Sequence, residues 1–266
     1  MLTVKRTALA VLMTSALLSG MANAAEKSTP VFTPEQEARI GEIAKDYLLA
    51  HPEVLVEVSQ KLQAQQQEMQ IQAMSAAVIE NQATLLNDKG TPSYGPVDAK
   101  VTVVEFFDYQ CIYCARLAPE LDKVIKTNPG VRFVFKEFPI FGARWPASLS
   151  AAKTGLQVWK QKGADAYLNY HNAIYATGHN EGKLTDADIS TAAKAVKFDA
   201  KTAPDVQEAL EGINALAQQL GFSGTPALVV LPSTGASADN VTVIPGYTSA
   251  EALQQAINHA AGDTKK

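Results

Sequence analysis

The apolar-rich run Val101-Thr102-Val103-Val104-Glu105-Phe106-Phe107 reads as a buried β-strand. Residues 112–127 follow with helical spacing, and Asn128-Pro129-Gly130 separates them from a second β-branched and aromatic run at 131–138. These form a βαβ unit whose crossover is expected to be right-handed. Four helical stretches come next, Pro146 to Lys160, Ala164 to Tyr175, Thr185 to Val196 and Pro204 to Leu220. Strand signal returns at 227–231 and 241–244. Thr248-Ser249-Ala250-Glu251 then reads as a capping box opening a last helix to about Ala260.

The region before this pattern is helical throughout. Thr33-Pro34-Glu35-Gln36 is a capping box with proline at the first helical position, and its helix runs to about Ala50. Pro52 opens a longer helix to about Leu86. Two seven-residue series, Leu55–Leu62–Met69 and Ile71–Val78–Leu85, form an apolar stripe with one phase shift, opposite a glutamine-rich face. A helical pair this thin cannot cover its own stripe. The stripe packs either on the rest of the chain or, as expected here, on a second or third copy, giving a homodimer or homotrimer. Thr91-Pro92-Ser93-Tyr94-Gly95-Pro96 is a turn-rich hinge.

The first 24 residues have the form of a secretory signal peptide: Lys5 and Arg6, an apolar stretch from Thr7 to Leu18, and an Ala22-Asn23-Ala24 cleavage site. The apolar stretch is short for a membrane span. Its removal takes two basic residues and moves the net charge from −4 to −6. That mild acidity argues against nucleic acid as a partner. Domains are therefore expected at 1–24 (signal peptide), 25–94 (helical oligomerisation region and linker) and 95–266 (catalytic domain with a helical insertion at about 143–221).

The chemistry lies in the chain's two cysteines, Cys111-Ile112-Tyr113-Cys114, between a strand and a helix. Cys-x-x-Cys at that junction is a redox motif of thioredoxin-like proteins. A helix N-terminus offers free N–H groups and a positive dipole end, which favour the reactive thiolate. A zinc site would need two more Cys or His ligands, and His51, His171, His179 and His259 are scattered. A structural disulfide over so short a loop would constrain little. Glu105 stands in the middle of an apolar strand, where a carboxylate is costly unless paired or protonated; otherwise it is a strand-edge residue facing solvent. The element order gives an α/β class: a thioredoxin fold with a helical insertion, plus the N-terminal α-helical region.

The segment Glu105-Phe106-Phe107-Asp108-Tyr109-Gln110-Cys111-Ile112-Tyr113-Cys114 resembles the active site of DsbA-like periplasmic thiol-disulfide oxidoreductases. Phe222-Ser223-Gly224-Thr225-Pro226-Ala227 resembles that family's cis-proline loop. The layout of residues 26–90 is similar to the N-terminal extension of oligomeric members, the ScsC and Com1-type proteins. The resemblance implies that Cys111 is a partly exposed nucleophile, Cys114 the buried resolving thiol and Glu105 a proton relay. It also implies that Thr225-Pro226 is cis and pairs with substrate. Lys136 is either the partner of Glu105 or a surface lysine. Tyr113 replaces the histidine of the strongly oxidising members, which implies a milder, isomerase-like oxidant. Trp145, Trp159, Tyr167 and Tyr170 are expected in the core or a groove, and His171 with His179 is a weak metal signal. The implied function is disulfide isomerase/reductase in the periplasm, with no cofactor and no metal. Its implied partners are unfolded or misfolded exported proteins and a membrane redox protein. A disulfide oxidase and a copper-binding thiol protein are the alternatives.

Overall fold

The computed structural model describes residues 31–263. The signal peptide expected at 1–24 lies outside them. The chain divides into two compact units at Ser59/Gln60. Within the first, helix α1 (Pro34–Ala50) starts at the expected capping box: Thr33 accepts from the Gln36 N–H and Gln36 reaches back to the Thr33 N–H. Helix α2 (Glu53–Glu80) begins in this unit and continues into the second.

The second unit is built on a five-stranded sheet of order β1-β3-β2-β4-β5. Its strands are β1 (Ser93–Tyr94), β2 (Val101–Phe107), β3 (Arg132–Glu137), β4 (Ala227–Pro232) and β5 (Thr242–Pro245). β2 and β3 run parallel, and the other pairs are antiparallel. All seven residues of β2 are buried, as expected of a central strand covered on both faces. One face carries Val101, Val103, Phe107, Phe133 and Phe135 against α4 (Ile112–Thr127), α6 (Ala164–Ala176), α7 (Asp186–Ala195) and α9 (Ala250–Ala261). The other carries Val104, Phe106 and Val134 against the end of α2, α3 (Gln82–Asn87) and α8 (Gln207–Gln219). Helix α5 (Pro146–Lys162) contributes to both clusters through Ala151 and Ala152.

Four features depart from the sequence pattern. The long helix is interrupted at Asn81, whose backbone N–H and side-chain amide both donate to the Ala77 carbonyl. The turn-rich stretch at 91–96 contains an edge strand, with Ser93 opposite Val134. At Gly95 (φ 94) in that stretch, the Val131 carbonyl leaves no room for a Cβ. The last helix is capped by Ser249, which accepts from the Ala252 N–H, and not by Thr248. That one-residue shift turns Leu253, Ala256, Ile257 and Ala260 inward.

The fourth departure is the stripe. Leu55, Leu62 and Met69 are exposed, whereas Val78 and Leu85 are fully buried in the second unit's own core beside Phe106 and Leu216. The phase shift therefore separates an uncovered series from one that the chain covers itself.

Lys136 is neither a surface residue nor the partner of Glu105. Its side chain leaves the opposite face of β3, is fully buried, and donates to Asp88 Oδ2 (2.8 Å) and Thr91 Oγ1 (2.9 Å). Thr91 also donates to Asp88. Burial lowers the Lys136 ammonium's proton affinity. It works to raise that of Asp88, but the Lys136 and Thr91 bonds outweigh it and hold the carboxyl below its usual range. This pair fastens the end of α3 to the sheet. Asp88→Ala leaves the ammonium buried without its counter-ion, so urea unfolding is expected to show a loss of about 3–5 kcal/mol. Lys136→Met, which removes the buried charge, is expected to cost less.

Candidate redox site

The end of β2 delivers Asp108-Tyr109-Gln110 to the start of α4, and this tripeptide is fastened on three sides. The Asp108 carboxylate accepts the N–H groups of Gln110 (2.8 Å) and Phe141 (2.9 Å) and the hydroxyl of Ser148 on α5 (2.8 Å). Its backbone carbonyl accepts from the Cys111 N–H (3.0 Å) and the Tyr175 hydroxyl (3.2 Å). Gln110 accepts the Glu181 N–H through its carbonyl (3.0 Å) and the Gly182 N–H through Oε1 (2.8 Å). The helical insertion thus clamps the turn in front of the cysteines.

Cys111 occupies the N-cap of α4, and Cys114 lies one turn on; both are free thiols. Cys111 is more enclosed than the sequence implied, only 4% exposed. The Thr225 carbonyl of the 225–226 loop lies against it. Its thiol is pulled down to about 6: the Cys114 thiol donates to it, against burial, and Thr225 and the N–H groups of Cys114 and Tyr113 add to the effect. Burial first, and then the Cys111 charge beside it, push Cys114 well above the ordinary thiol range. Two identical side chains three residues apart are therefore held in opposite protonation states near neutral pH.

The antiparallel register Phe106–Ala227 carries Thr225-Pro226 past the end of β2 to the cysteines. The peptide bond between them is cis, and the Thr225 carbonyl accepts from Cys111 Sγ at 3.1 Å. Thr225 Oγ1 is buried without a protein acceptor or donor, free to turn toward the thiolate. Glu105 is buried beneath the pair. Burial, with the Cys111 charge behind it, pushes its carboxyl up to about 8, and its Oε2 has no protein partner. An acid of that kind can take or give a proton near neutrality.

Cys111, Cys114, Glu105, Thr225 and Pro226 are thus brought together. His171 and His179 are not: His171 is buried beside Phe107 and bonds to Asn172, and His179 is exposed and bonds to Asp188. Tyr167 and Tyr170 are core residues, and Trp145 and Trp159 are half-buried. Tyr113 is 52% exposed, with the Arg116 guanidinium 5.4 Å from its ring. Sequence reasoning passed over Asp108, Gln110 and Glu137. Glu137 carried the same signal as Glu105, an acid inside an apolar strand.

A family model described as thioredoxin matches residues 87–233, and one described as the copper resistance protein ScsC N-terminal domain matches residues 36–68. The crystal structure of BcfH from Salmonella enterica Typhimurium is 46% identical and covers 85% of this chain and 96% of its own, with a TM-score of 0.72. Proteus mirabilis ScsC in a transitional conformation is 28% identical and covers 87% and 98%, with a TM-score of 0.60. Disulfide bond formation protein D of Bacillus subtilis is 33% identical over 91 residues, 33% of this chain and 39% of its own. The chain spans 15% to 39% of the length of the curated relatives it matches, which include Na(+)/H(+) antiporters of Salinispora. With a thioredoxin model over more than half its length and a relative such as BcfH aligned almost end to end, the chain belongs to the thioredoxin family, in the form that carries an ScsC-type N-terminal region.

Proposed function

We propose that this protein is a periplasmic thiol-disulfide oxidoreductase that reduces and isomerises wrong disulfides in exported proteins. The observation that carries the reading is the placement of Cys111 at the N-cap of α4, 3.1 Å from the carbonyl of Thr225 before a cis-proline, with Cys114 buried one turn on; the opposite shifts of the two thiols follow from it. The Cys111 thiolate attacks one sulfur of a substrate disulfide. That S–S bond breaks, a mixed disulfide forms, and the other substrate sulfur leaves as a thiolate. In isomerisation a second substrate thiolate displaces Cys111 and leaves a rearranged disulfide. In reduction the Cys114 thiol passes its proton to the Glu105 carboxylate and attacks Cys111 Sγ. This forms the Cys111–Cys114 disulfide and releases the substrate thiolate. A membrane redox partner then returns the pair to its reduced state. The backbone beside Thr225-Pro226 takes up the substrate chain as an added strand.

A Cys111 value of about 6 supports a moderate oxidant, since thioredoxin lies near 7 and the strongly oxidising DsbA near 3.5. The exposed Leu55, Leu62 and Met69 support assembly into a dimer or trimer, which would group several active sites around one misfolded chain. Two thiolates would suit Cu(I).

Cys114→Ser is expected to accumulate mixed disulfides with exported proteins and Cys111→Ser none. Equal trapping by both would refute the assigned roles. In the reduced protein, the rate of Cys111 alkylation is expected to rise through a midpoint near pH 6 and level off above it, because the thiol is unreactive until it ionises. A midpoint above 8 would remove the activated nucleophile. Because residues 74–86 belong to the core, the stripe is best tested in the whole mature chain. Light scattering of Leu55→Glu/Leu62→Glu is expected to show a monomer with unchanged Cys111 alkylation, and the parent protein a dimer or trimer.

A further inference from the structure

A second carboxyl lies on the same face of the sheet as Glu105. In the β2–β3 register Glu105 stands opposite Phe135 and Phe107 opposite Glu137, so Glu105 and Glu137 leave one face as diagonal neighbours. Glu137 is buried. Its Oε1 accepts the hydroxyls of Tyr109 (3.0 Å) and Tyr167 (2.9 Å), and its Oε2 has no protein partner. Tyr109 is two residues ahead of Cys111. On α5, a Cβ at Gly155 would collide with Glu137 Oε1, so the glycine makes the room in which the carboxyl sits.

The ionisable groups around Glu137 supply no positive charge. From β2 comes Glu105; from the turn, Asp108 and Tyr109; from α6, Tyr167, Tyr170 and Tyr175; α5 presents Gly155. The His171 ring packs beside Tyr109 and Tyr167, and burial lowers its pKa to about 4, so it is neutral. Burial dominates at Glu137. The two tyrosine bonds oppose it, Asp108 and Glu105 reinforce it, and the carboxyl ends well above its ordinary range.

We propose that Glu137 is a positioning residue of the redox site: held by Tyr109 and Tyr167, it anchors the turn before Cys111 and leaves Glu105 as the carboxyl on this face that trades a proton with Cys114. Two carboxylates side by side in a low dielectric repel, so one of them must stay protonated. At Glu137 burial and the neighbouring Asp108 and Glu105 charges outweigh the two tyrosine bonds, and the carboxyl keeps its proton. This rests on the thiol-disulfide exchange reading, which the Cys114→Ser trap tests by itself.

The test uses the reduced full-length mature protein and infrared bands of protonated carboxyl groups at about pH 7. Glu137→Gln is expected to remove one such band and leave a second that titrates with Glu105. Loss of no band would mean that Glu137 is ionised and would overturn the proposal, whatever the enzyme's substrates. The second readout is release of glutathione from a Cys111–glutathione mixed disulfide. Glutamine can accept the same two hydroxyls, so Glu137→Gln is expected to stay within about threefold of the parent rate. Glu137→Leu strands both hydroxyls and is expected to slow release by about tenfold or more. Tyr109→Phe is expected to add nothing in the Glu137→Leu background. A parent-like rate and pH profile in Glu137→Leu would overturn the anchoring role. Should that variant fail to fold, the infrared bands of Glu137→Gln and the release rate of Tyr109→Phe decide the question, a parent-like rate in the latter refuting the anchor.

Discussion

A negative charge must be held on Cys111, a residue only 4% exposed. Water cannot stabilise it there, so the protein has to supply the donors. They come from the start of α4 and from the Cys114 thiol, with the buried Thr225 hydroxyl free to add a third. The first two belong to one helical turn. Thr225 comes from a strand more than a hundred residues away, brought in by the β2–β4 register. The turn has little stiffness of its own, which is why Asp108 and Gln110 are tied to Phe141, Ser148, Glu181 and Gly182. The helical insertion therefore acts as the outer frame of the cysteine site.

How far this was legible in the sequence depends on whether the signal is local. β2, β3 and β4 are buried on both faces, so their apolar runs stand out, and a Cys-x-x-Cys after such a strand has few readings. Glu105 was legible because an acid in that run has to be explained. Lys136 was not legible, because its partner Asp88 lies 48 positions away and a doubly covered strand has no polar side to assign. The last helix shows a subtler limit. Thr248 and Ser249 are both good caps, and the choice between them is made by which residues must face the sheet.

The N-terminal helices make the same point about packing. Their phase shift was visible, but the heptad spacing is identical on both sides of it. Only the fold distinguishes Val78 and Leu85, which face α8 and β2 residues of the same chain, from Leu62 and Met69, which stay exposed. One helix thus serves two ends: its last turns complete the core, and its middle presents an uncovered apolar edge.

The sheet also sorts charge by face. Both cationic residues of β3 point away from the cysteines, Arg132 to the Leu86 carbonyl and Lys136 to Asp88. The cysteine side carries Cys111, Glu105, Asp108 and Glu137, and among the described residues none of them is in an ion pair. Each negative charge there makes the next more costly. While Cys111 is a thiolate it raises Glu105, and the acid holds its proton. On the proposed exchange reading, that repulsion is gone once Cys111 is bound in a disulfide, and burial alone is left to hold the Glu105 proton. On that reading, the same burial that makes the thiolate demanding to hold would couple the proton affinity of Glu105 to the redox state of the pair, because the Cys111 charge is the part of its environment that changes.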